Sequence, residues 1–195
     1  MDAIDFQNYW NSYYPLCPPV AHLIREAYQE RWFRICTLPE AKRYPETEEE
    51  YQEIFRRHNS LLCNLFPDNR VTFLVTVGYS ETAQPVMPEH IDPSIFPSTL
   101  SMSLAMHQIE VDDAGDSRYW HLWVCVLEWR SGRLDDLFRL IADDRVANVL
   151  IVDPEQHQLY HPYDGGADVI IASQTAREHL RLKYSQWLAT HPAGL

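Results

Sequence analysis

Apolar residues return every three to four positions between residues 51 and 65, the spacing that places them along one face of an α-helix. Thr47 precedes three consecutive glutamates, and a threonine followed three residues later by glutamate forms a capping box at a helix start. Acidic side chains in a first turn also interact favourably with the positive end of the helix dipole. Pro67 follows the periodic segment. The pattern therefore predicts a helix that begins at Thr47 and ends before Pro67.

Shorter runs with the same spacing predict four further helices. Aromatic residues at positions 6, 9, 10 and 13 predict the first helix, which Pro15 ends. The two prolines at positions 18 and 19 are predicted to start the second, because proline is tolerated in a first helical turn. Segments 134–141 and 175–189 predict the last two helices. Thr175 and Glu178 supply a capping box for the final one.

Runs rich in β-branched and aromatic residues predict seven strands. Residues 112–116 are typical of a turn, so we expect the third and fourth strands to form an antiparallel hairpin. Asp164-Gly165-Gly166 predicts a second tight turn, at which the glycines are expected to adopt positive φ angles. Four prolines and no periodicity predict a long loop between residues 80 and 102. The predicted strands cover residues 31–36, 71–79, 103–111, 119–129, 149–152, 159–161 and 169–171.

The order of these elements favours an α+β fold, because strands and helices do not alternate strictly. We expect a mixed or largely antiparallel sheet with helices packed on it. Apolar residues make up 46% of the 195 residues, a composition typical of a folded domain. No internal repeat or long linker divides the chain. The sequence therefore predicts a single globular domain over residues 1–195.

The chain is strongly acidic. Sixteen Lys and Arg residues against 28 Asp and Glu residues give a formal charge of −12. This charge argues against nucleic acid and against an anionic membrane surface as partners, and it favours a basic protein. Residues 101–168 hold 13 acidic and 5 basic residues, a net of −8. We predict that seven aspartates in this segment form a face that binds a basic protein: Asp112, Asp113, Asp116, Asp135, Asp136, Asp143 and Asp144.

Several motifs of enzymes and metal sites do not occur in the sequence. Neither phosphate-binding glycine motif, G-x-G-x-x-G or G-x-x-x-x-G-K-[ST], occurs, nor does G-x-S-x-G or H-E-x-x-H. His157 with His161, and His121 with Cys125, are spaced four apart. On a strand that spacing is about 13 Å, too far for two ligands of one metal. We therefore expect no catalytic residue, no metal ligand and no cofactor.

Cysteine usage and hydropathy indicate the compartment. The four cysteines are widely separated and include no C-x-x-C pair, which favours a reducing environment. The first residues lack the basic and apolar regions of a secretory signal. No apolar segment reaches the roughly 18–20 residues of a membrane helix. We expect a soluble cytoplasmic protein that does not contact a membrane.

Charged residues of both signs concentrate in the loop 38–46 between a predicted strand and the Thr47 helix. A second polar group accompanies the Asp-Gly-Gly turn, where carboxylates beside a histidine shift one another's pKa. The alternatives are that Lys42 and Arg43 pair with Glu46 and Glu49, and that Asp164 only shapes a turn. Cys36 and His58 form a further candidate pair, as nucleophile and base. The residues of this candidate polar site are Arg34, Glu40, Lys42, Arg43, His161, Asp164 and Asp168.

Several short segments resemble a bacterial family of unknown function. They are RWFRI at 31–35, LPE at 38–40, KRYPET at 42–47, YDGG-x-D at 163–168 and KY-x-x-WL-x-x-HP-x-GL at 183–195. The resemblance implies a soluble bacterial single-domain protein, and it brings no active site with it. Small acidic bacterial proteins of this kind are similar to immunity proteins, which bind and block a toxin domain; this second likeness is an analogy.

Two hypotheses follow from the sequence. The first is a non-catalytic acidic binding protein, an immunity protein that neutralises a basic toxin domain such as a nuclease. The second is an enzyme or small-molecule binder that uses the polar loop 40–46 and the turn 161–168. The second requires that the Lys42-Arg43 loop and the Asp164 turn face one pocket.

Overall fold

The computed structural model describes residues 3–82, 84, 104–111 and 117–189. Seven strands within these ranges form one sheet in the order β1-β7-β6-β5-β2-β4-β3, and every pair of neighbours is antiparallel. The predicted α+β class is confirmed, with an antiparallel sheet. The elements are α1 (Ala3–Tyr13), α2 (Ala21–Ala27), β1 (Trp32–Cys36), α3 (Glu48–Leu65), β2 (Val71–Ser80), β3 (Leu104–Val111), β4 (Ser117–Glu128), α4 (Asp135–Ala142), β5 (Leu150–Asp153), β6 (Gln158–Tyr163), β7 (Gly166–Ile171) and α5 (Gln174–Lys183).

Helices cover both faces of the sheet. Buried residues of α3, α4 and α5 form one apolar cluster with side chains from one sheet face. Helices α1 and α2 form a second cluster with the opposite face. Strand β4 shows why its sequence is almost continuously apolar: Trp123 and Cys125 belong to the first cluster, whereas Leu122 and Val124 belong to the second. The sheet is therefore the middle of three layers.

The helix predicted at Thr47 is confirmed in its start and its end. The Thr47 side chain accepts a hydrogen bond from the Glu50 amide, and α3 ends at Leu65. Two other helix boundaries were wrong. Helix α2 begins at Ala21 rather than at the prolines, and α5 spans residues 174–183 with Ser173 as its cap, so its predicted extension to residue 189 is a 3-10 turn and irregular chain. Among the described residues, no helix is long and apolar enough to cross a membrane.

The β6–β7 turn corrects one expectation about glycine. Among the described residues, Gly132 is the only glycine with a positive φ angle. A left-handed backbone therefore does not explain the glycines at positions 165 and 166. Close approach requires glycine at position 166 and makes position 165 tight. A Cβ on Gly166 would overlap the Ile35 carbonyl oxygen of β1, and a Cβ on Gly165 would lie 3.2 Å from Cγ of Arg43. The turn is therefore pressed against β1 and against the loop that follows it.

Two predicted regions lie partly or wholly outside the described residues. The hairpin of β3 and β4 is confirmed as antiparallel. Its connection at 112–116 lies outside the described residues, as does most of the loop predicted between 80 and 102.

Candidate functional site

Three polar side chains occupy one row across neighbouring strands at the β1 edge of the sheet. Arg34 on β1 pairs in register with Asp168 on β7, and Asp168 pairs with His161 on β6. Residues that are directly opposite one another in a sheet project from the same face. The second-next position on each strand continues the row toward the turn with Cys36, Gly166 and Tyr163. A polar surface therefore lies where β1, β7 and β6 end.

Asp168 is the centre of this row. Its side chain is 4% exposed, and it accepts hydrogen bonds from Arg34 Nε at 2.7 Å, Arg34 Nη2 at 2.9 Å and Trp32 Nε1 at 2.8 Å. Burial opposes the charge of Arg34, but the hydrogen bonds and charge of Asp168 outweigh it and raise the Arg34 pKa. This two-point pair fixes the guanidinium plane against the sheet.

The Arg34 guanidinium also stacks on Tyr163, 4.8 Å from the ring centroid. The ring lies across Gly166, where a Cβ would be only 2.5 Å from the tyrosine hydroxyl. Glycine at this strand position is therefore what lets Tyr163 lie flat beside Arg34. Burial is the main cause that raises the Tyr163 pKa, so the phenol is neutral at physiological pH.

The loop after β1 brings Arg43 to the same place. Arg43 Nε donates to Asp164 Oδ2 at 2.7 Å, and this hydrogen bond raises the Arg43 pKa. The Asp164 side chain is 8% exposed, whereas that of Arg43 is 63% exposed. Glu40 and Ala41, just before this contact, have φ angles of 56° and 55°. Two successive left-handed residues other than glycine indicate strain, and such strain concentrates at functional sites.

A cleft of about 470 Å³ opens between these elements. We call it the arginine cleft, because three arginines from α2, β1 and the loop after β1 line it. Arg25 from α2 stacks on Trp32 at 5.7 Å. Within the described residues, no carboxylate pairs with Arg25. The lining residues are Arg25, Arg34, Cys36, Ala41, Arg43, Tyr163, Asp164, Gly165 and Ala189.

A second, smaller cleft of about 240 Å³ lies against the first. We call it the histidine cleft. Its lining residues are Arg43, Ile141, Asp144, Val146, Ala147, Asn148, His161, Tyr163 and Asp164. Burial lowers the pKa of His161 to about 4, although the charge of Asp168 opposes this shift. The imidazole is therefore neutral at physiological pH.

A larger cleft, about 1040 Å³, lies elsewhere, between α3 and the segment after α5. Its amide side chains already bind neighbouring groups: Asn59 donates to Asp135, and Asn64 donates to the Tyr184 hydroxyl. Its Trp187 ring is covered by the guanidinium groups of two arginines. The arginine cleft is smaller but holds an arginine without a carboxylate partner among the described residues, and it is the better candidate.

The structure brings together five of the seven residues of the predicted polar site: Arg34, Arg43, His161, Asp164 and Asp168. The other two lie apart from them. Lys42 Nζ binds Glu50 at 2.6 Å and Glu46 at 3.1 Å, so its second partner is Glu50 rather than the predicted Glu49. Glu40 is exposed and lines a different, smaller cleft. The expected pairing of Arg43 with a helix glutamate was wrong, because Arg43 binds Asp164.

The candidate pair of Cys36 and His58 is not formed. His58 is 1% exposed, its Nδ1 lies 2.6 Å from the Tyr160 hydroxyl, and its ring stacks on Phe138. Cys36 lies in the arginine cleft instead, and burial raises the pKa of its thiol. A protonated thiol with no adjacent base is a poor nucleophile.

Four of the seven aspartates predicted to bind a basic partner lie on or beside α4. Asp135 is partly buried and accepts a hydrogen bond from Asn59 at 2.7 Å. Asp136, Asp143 and Asp144 are exposed, although Asp143 accepts a hydrogen bond from the Tyr51 hydroxyl at 2.5 Å. The remaining three, Asp112, Asp113 and Asp116, lie outside the described residues.

Sequence reasoning missed two residues of the site, Arg25 and Tyr163. Arg25 belongs to a helix that is distant in sequence, and no local signal connects it to β1. Tyr163 stands next to the Asp-Gly-Gly turn, and an aromatic residue facing a strand glycine is a signal that a sequence search can use.

No group of three His, Cys, Asp or Glu side chains with the geometry of a metal site occurs within the described residues.

A comparison with family models matches residues 20–192 to DUF3885, described as a domain of unknown function. Comparisons with curated proteins and with solved structures give no match. The matched segment contains β1, the following loop, both strands of the turn and all the lining residues of both clefts. The chain belongs to the DUF3885 family.

Proposed function

We propose that the protein binds a small organic anion, with a carboxylate or phosphate group held in the arginine cleft. The observation that carries the proposal is the convergence of Arg25, Arg34 and Arg43 on one cleft in a chain whose net charge is −12. In such a chain, three arginines at one place form a local reversal of charge. Planar guanidinium groups match the geometry of carboxylate and phosphate oxygens.

The charges of the cleft leave one positive charge for a ligand. Asp168 neutralises Arg34, and Asp164 neutralises Arg43. Within the described residues Arg25 stacks on Trp32 and has no carboxylate partner. Asp164 binds Nε of Arg43, and the Arg43 side chain is 63% exposed, with its guanidinium over the Tyr44 ring at 5.2 Å. Arg25 and Arg43 are thus the groups that we assign to the anion, and Arg34 forms a fixed wall.

The uncharged residues of the cleft fit a small organic molecule. Tyr163 offers a neutral phenol, and Gly165 exposes backbone beside Arg43. Cavities of roughly 300–1,000 Å³ with a few placed polar groups are typical of small-molecule sites. The volume of about 470 Å³ lies in that range.

Thermal unfolding in the presence of acetate, butyrate, inorganic phosphate and ethyl phosphate, at matched ionic strength, tests this proposal. A ligand present at a hundredfold excess over its Kd stabilises the folded state by about 2.7 kcal/mol. For a chain of this length that raises the Tm by roughly 2–4 °C for each kcal/mol. Arg25→Gln and Arg43→Gln are expected to abolish the increase.

The matched control is Arg130→Gln, because the Arg130 side chain is 62% exposed and is paired with a single glutamate, Glu128. Phosphate also stabilises proteins without binding a site, by exclusion from their surface. That effect persists in all variants. The proposal fails if the anions stabilise Arg25→Gln and Arg43→Gln as much as wild type and Arg130→Gln.

A second candidate function is binding of a basic protein, in the manner of an immunity protein that neutralises a toxin domain. The observation that favours it is the excess of eight negative charges over residues 101–168, with Asp136, Asp143 and Asp144 exposed. A coherent acidic surface accelerates association with a basic partner, and salt weakens this effect.

The experiment for this second function is capture of a partner by the immobilised chain at low and high salt. A triple variant with Asp136, Asp143 and Asp144 changed to Lys is the comparison. The function predicts a basic partner that wild type retains at low salt and that both high salt and the variant release. Retention that is equal in the variant would exclude these aspartates as the binding face.

A further inference from the structure

We infer that the arginine cleft and the histidine cleft are two subsites of one ligand, which carries an anionic group and, beside it, a hydroxyl that donates a hydrogen bond to His161. This inference rests on the proposed function. It adds the chemical class: hydroxy acids, or phosphate esters of polyols and hydroxyalkyl groups, rather than simple anions.

The first observation is that the two clefts share a wall. Arg43, Tyr163 and Asp164 line both of them. A molecule whose anionic group binds the outer nitrogens of Arg43 therefore has its neighbouring atoms at the entrance of the histidine cleft. The smaller volume, about 240 Å³, suits a short polar substituent rather than a second ring system.

The second observation is an unpartnered buried nitrogen. The His161 side chain is 9% exposed, and its Nδ1 has no hydrogen-bond partner within the described residues. Asp168 Oδ2 lies 3.9 Å from Nδ1, beyond hydrogen-bond distance. Buried polar groups in native proteins are nearly always hydrogen-bonded. Because Nδ1 is enclosed, a hydrogen bond between this imidazole and a ligand has to be made through Nε2, which is not among the enclosed, unpartnered atoms.

The electrostatics assign the role of each ring nitrogen. Nδ1 is enclosed and lies 3.9 Å from Asp168 Oδ2, so the negative carboxylate favours the tautomer with the proton on Nδ1. Nε2 then carries the lone pair and is the nitrogen left for a ligand. A lone pair accepts, and the ligand group that it meets must be a donor.

The charges around His161 keep the ring neutral. Arg34 on β1 and His22 on α2 disfavour the imidazolium, whereas Asp168 on β7 favours it, and burial is the largest effect. Arg43, Asp144 and Asp164 are the other charged residues that line the histidine cleft. A neutral imidazole adds no charge to the anion subsite. It selects for the hydroxyl instead.

Two matched pairs of probes test the inference: ethyl phosphate against 2-hydroxyethyl phosphate, and butyrate against 3-hydroxybutyrate. Calorimetric titration of wild type is expected to show that the hydroxyl improves affinity at least fivefold in one pair, the value of one good neutral hydrogen bond. His161→Phe is expected to remove this advantage while leaving the affinity for the probe without a hydroxyl unchanged. Arg43→Gln is expected to weaken all probes.

The outcomes separate the two proposals. Equal affinity within both pairs overturns the two-subsite inference and leaves anion binding intact. Failure of every probe to bind overturns both. The nitrogen NMR signal of His161 Nε2 in unmodified protein gives a readout that does not depend on the folding of a variant. That signal is expected to shift with 2-hydroxyethyl phosphate and not with ethyl phosphate, and an equal response to both contradicts the inference.

Discussion

Replacing His58 with phenylalanine is expected to make the stability of the protein less sensitive to acid. The side chain is 1% exposed between α3 and α4, and burial lowers its pKa to about 3. The unfolded chain binds a proton at this histidine near pH 6.5. Between that pH and pH 3 the unfolded state therefore holds more protons than the folded state, and stability falls as the pH falls.

The magnitude follows from the width of this window. From pH 6.5 to pH 5 is about 1.5 units, and each unit corresponds to about 1.4 kcal/mol, so His58 costs about 2 kcal/mol of stability between pH 7 and pH 5. His58→Phe also leaves the buried Tyr160 hydroxyl without its partner, which lowers stability by about 1–3 kcal/mol at every pH. The first effect depends on pH and the second does not.

Urea unfolding at pH 7 and at pH 5 separates the two effects. The difference in the free energy of unfolding between the two pH values is expected to be about 2 kcal/mol smaller in His58→Phe than in wild type. His179→Gln is the control, because His179 is exposed on α5 and remains in water in both states. The same pH dependence in wild type and in His58→Phe would show that the folded protein protonates His58 freely and would refute the reasoning.

Three further predictions concern the clefts. Gly166→Ala is expected to lower stability by about 1–3 kcal/mol in urea unfolding, because its Cβ meets the backbone of β1, which no rotamer change relieves; unchanged stability would contradict the close approach. Arg34→Gln is expected to lower stability by about 3–5 kcal/mol, because it leaves the buried Asp168 carboxylate with one hydrogen bond in place of three. Adding Asp168→Asn is expected to recover part of that loss. A double variant that is no more stable than Arg34→Gln would show that the lost charge pairing is not the cause. Ala41→Gly is expected to raise the Tm, because glycine adopts the φ of 55° without the roughly 1–2 kcal/mol that a left-handed alanine costs; a lower Tm would show that loop entropy outweighs the strain.

The fold was largely predictable from local patterns. Helix α3 was predicted correctly because a capping box, an acidic first turn and a proline stop all act within the segment itself. The error at α5 has the opposite origin. Thr175 and Ser173 both offer a cap, and the backbone turn that selects Ser173 depends on where β7 ends, which is a tertiary property.

The site was predictable only in part, because it too depends on tertiary contacts. The residues of the Asp-Gly-Gly turn and of the loop 40–46 stand out by composition, and the structure brings Arg43 and Asp164 into contact. Which loop cation would bind Asp164 could not be predicted, because the left-handed pair at Glu40 and Ala41 precedes this contact and the residue types do not predict such a pair. Arg25 could not be predicted because the packing of α2 on the same face of the sheet as Arg34 and Asp168 places it there.

Titration of the arginine side-chain Nε–H signals by NMR tests the central claim most directly, with ethyl phosphate and butyrate as ligands. The account predicts that the signals of Arg25 and Arg43 shift together with one Kd, while that of Arg130, which is as exposed as Arg43, does not move. Shifts spread evenly over the exposed arginines, or none at Arg25 and Arg43, would contradict the claim that this cleft is an anion site.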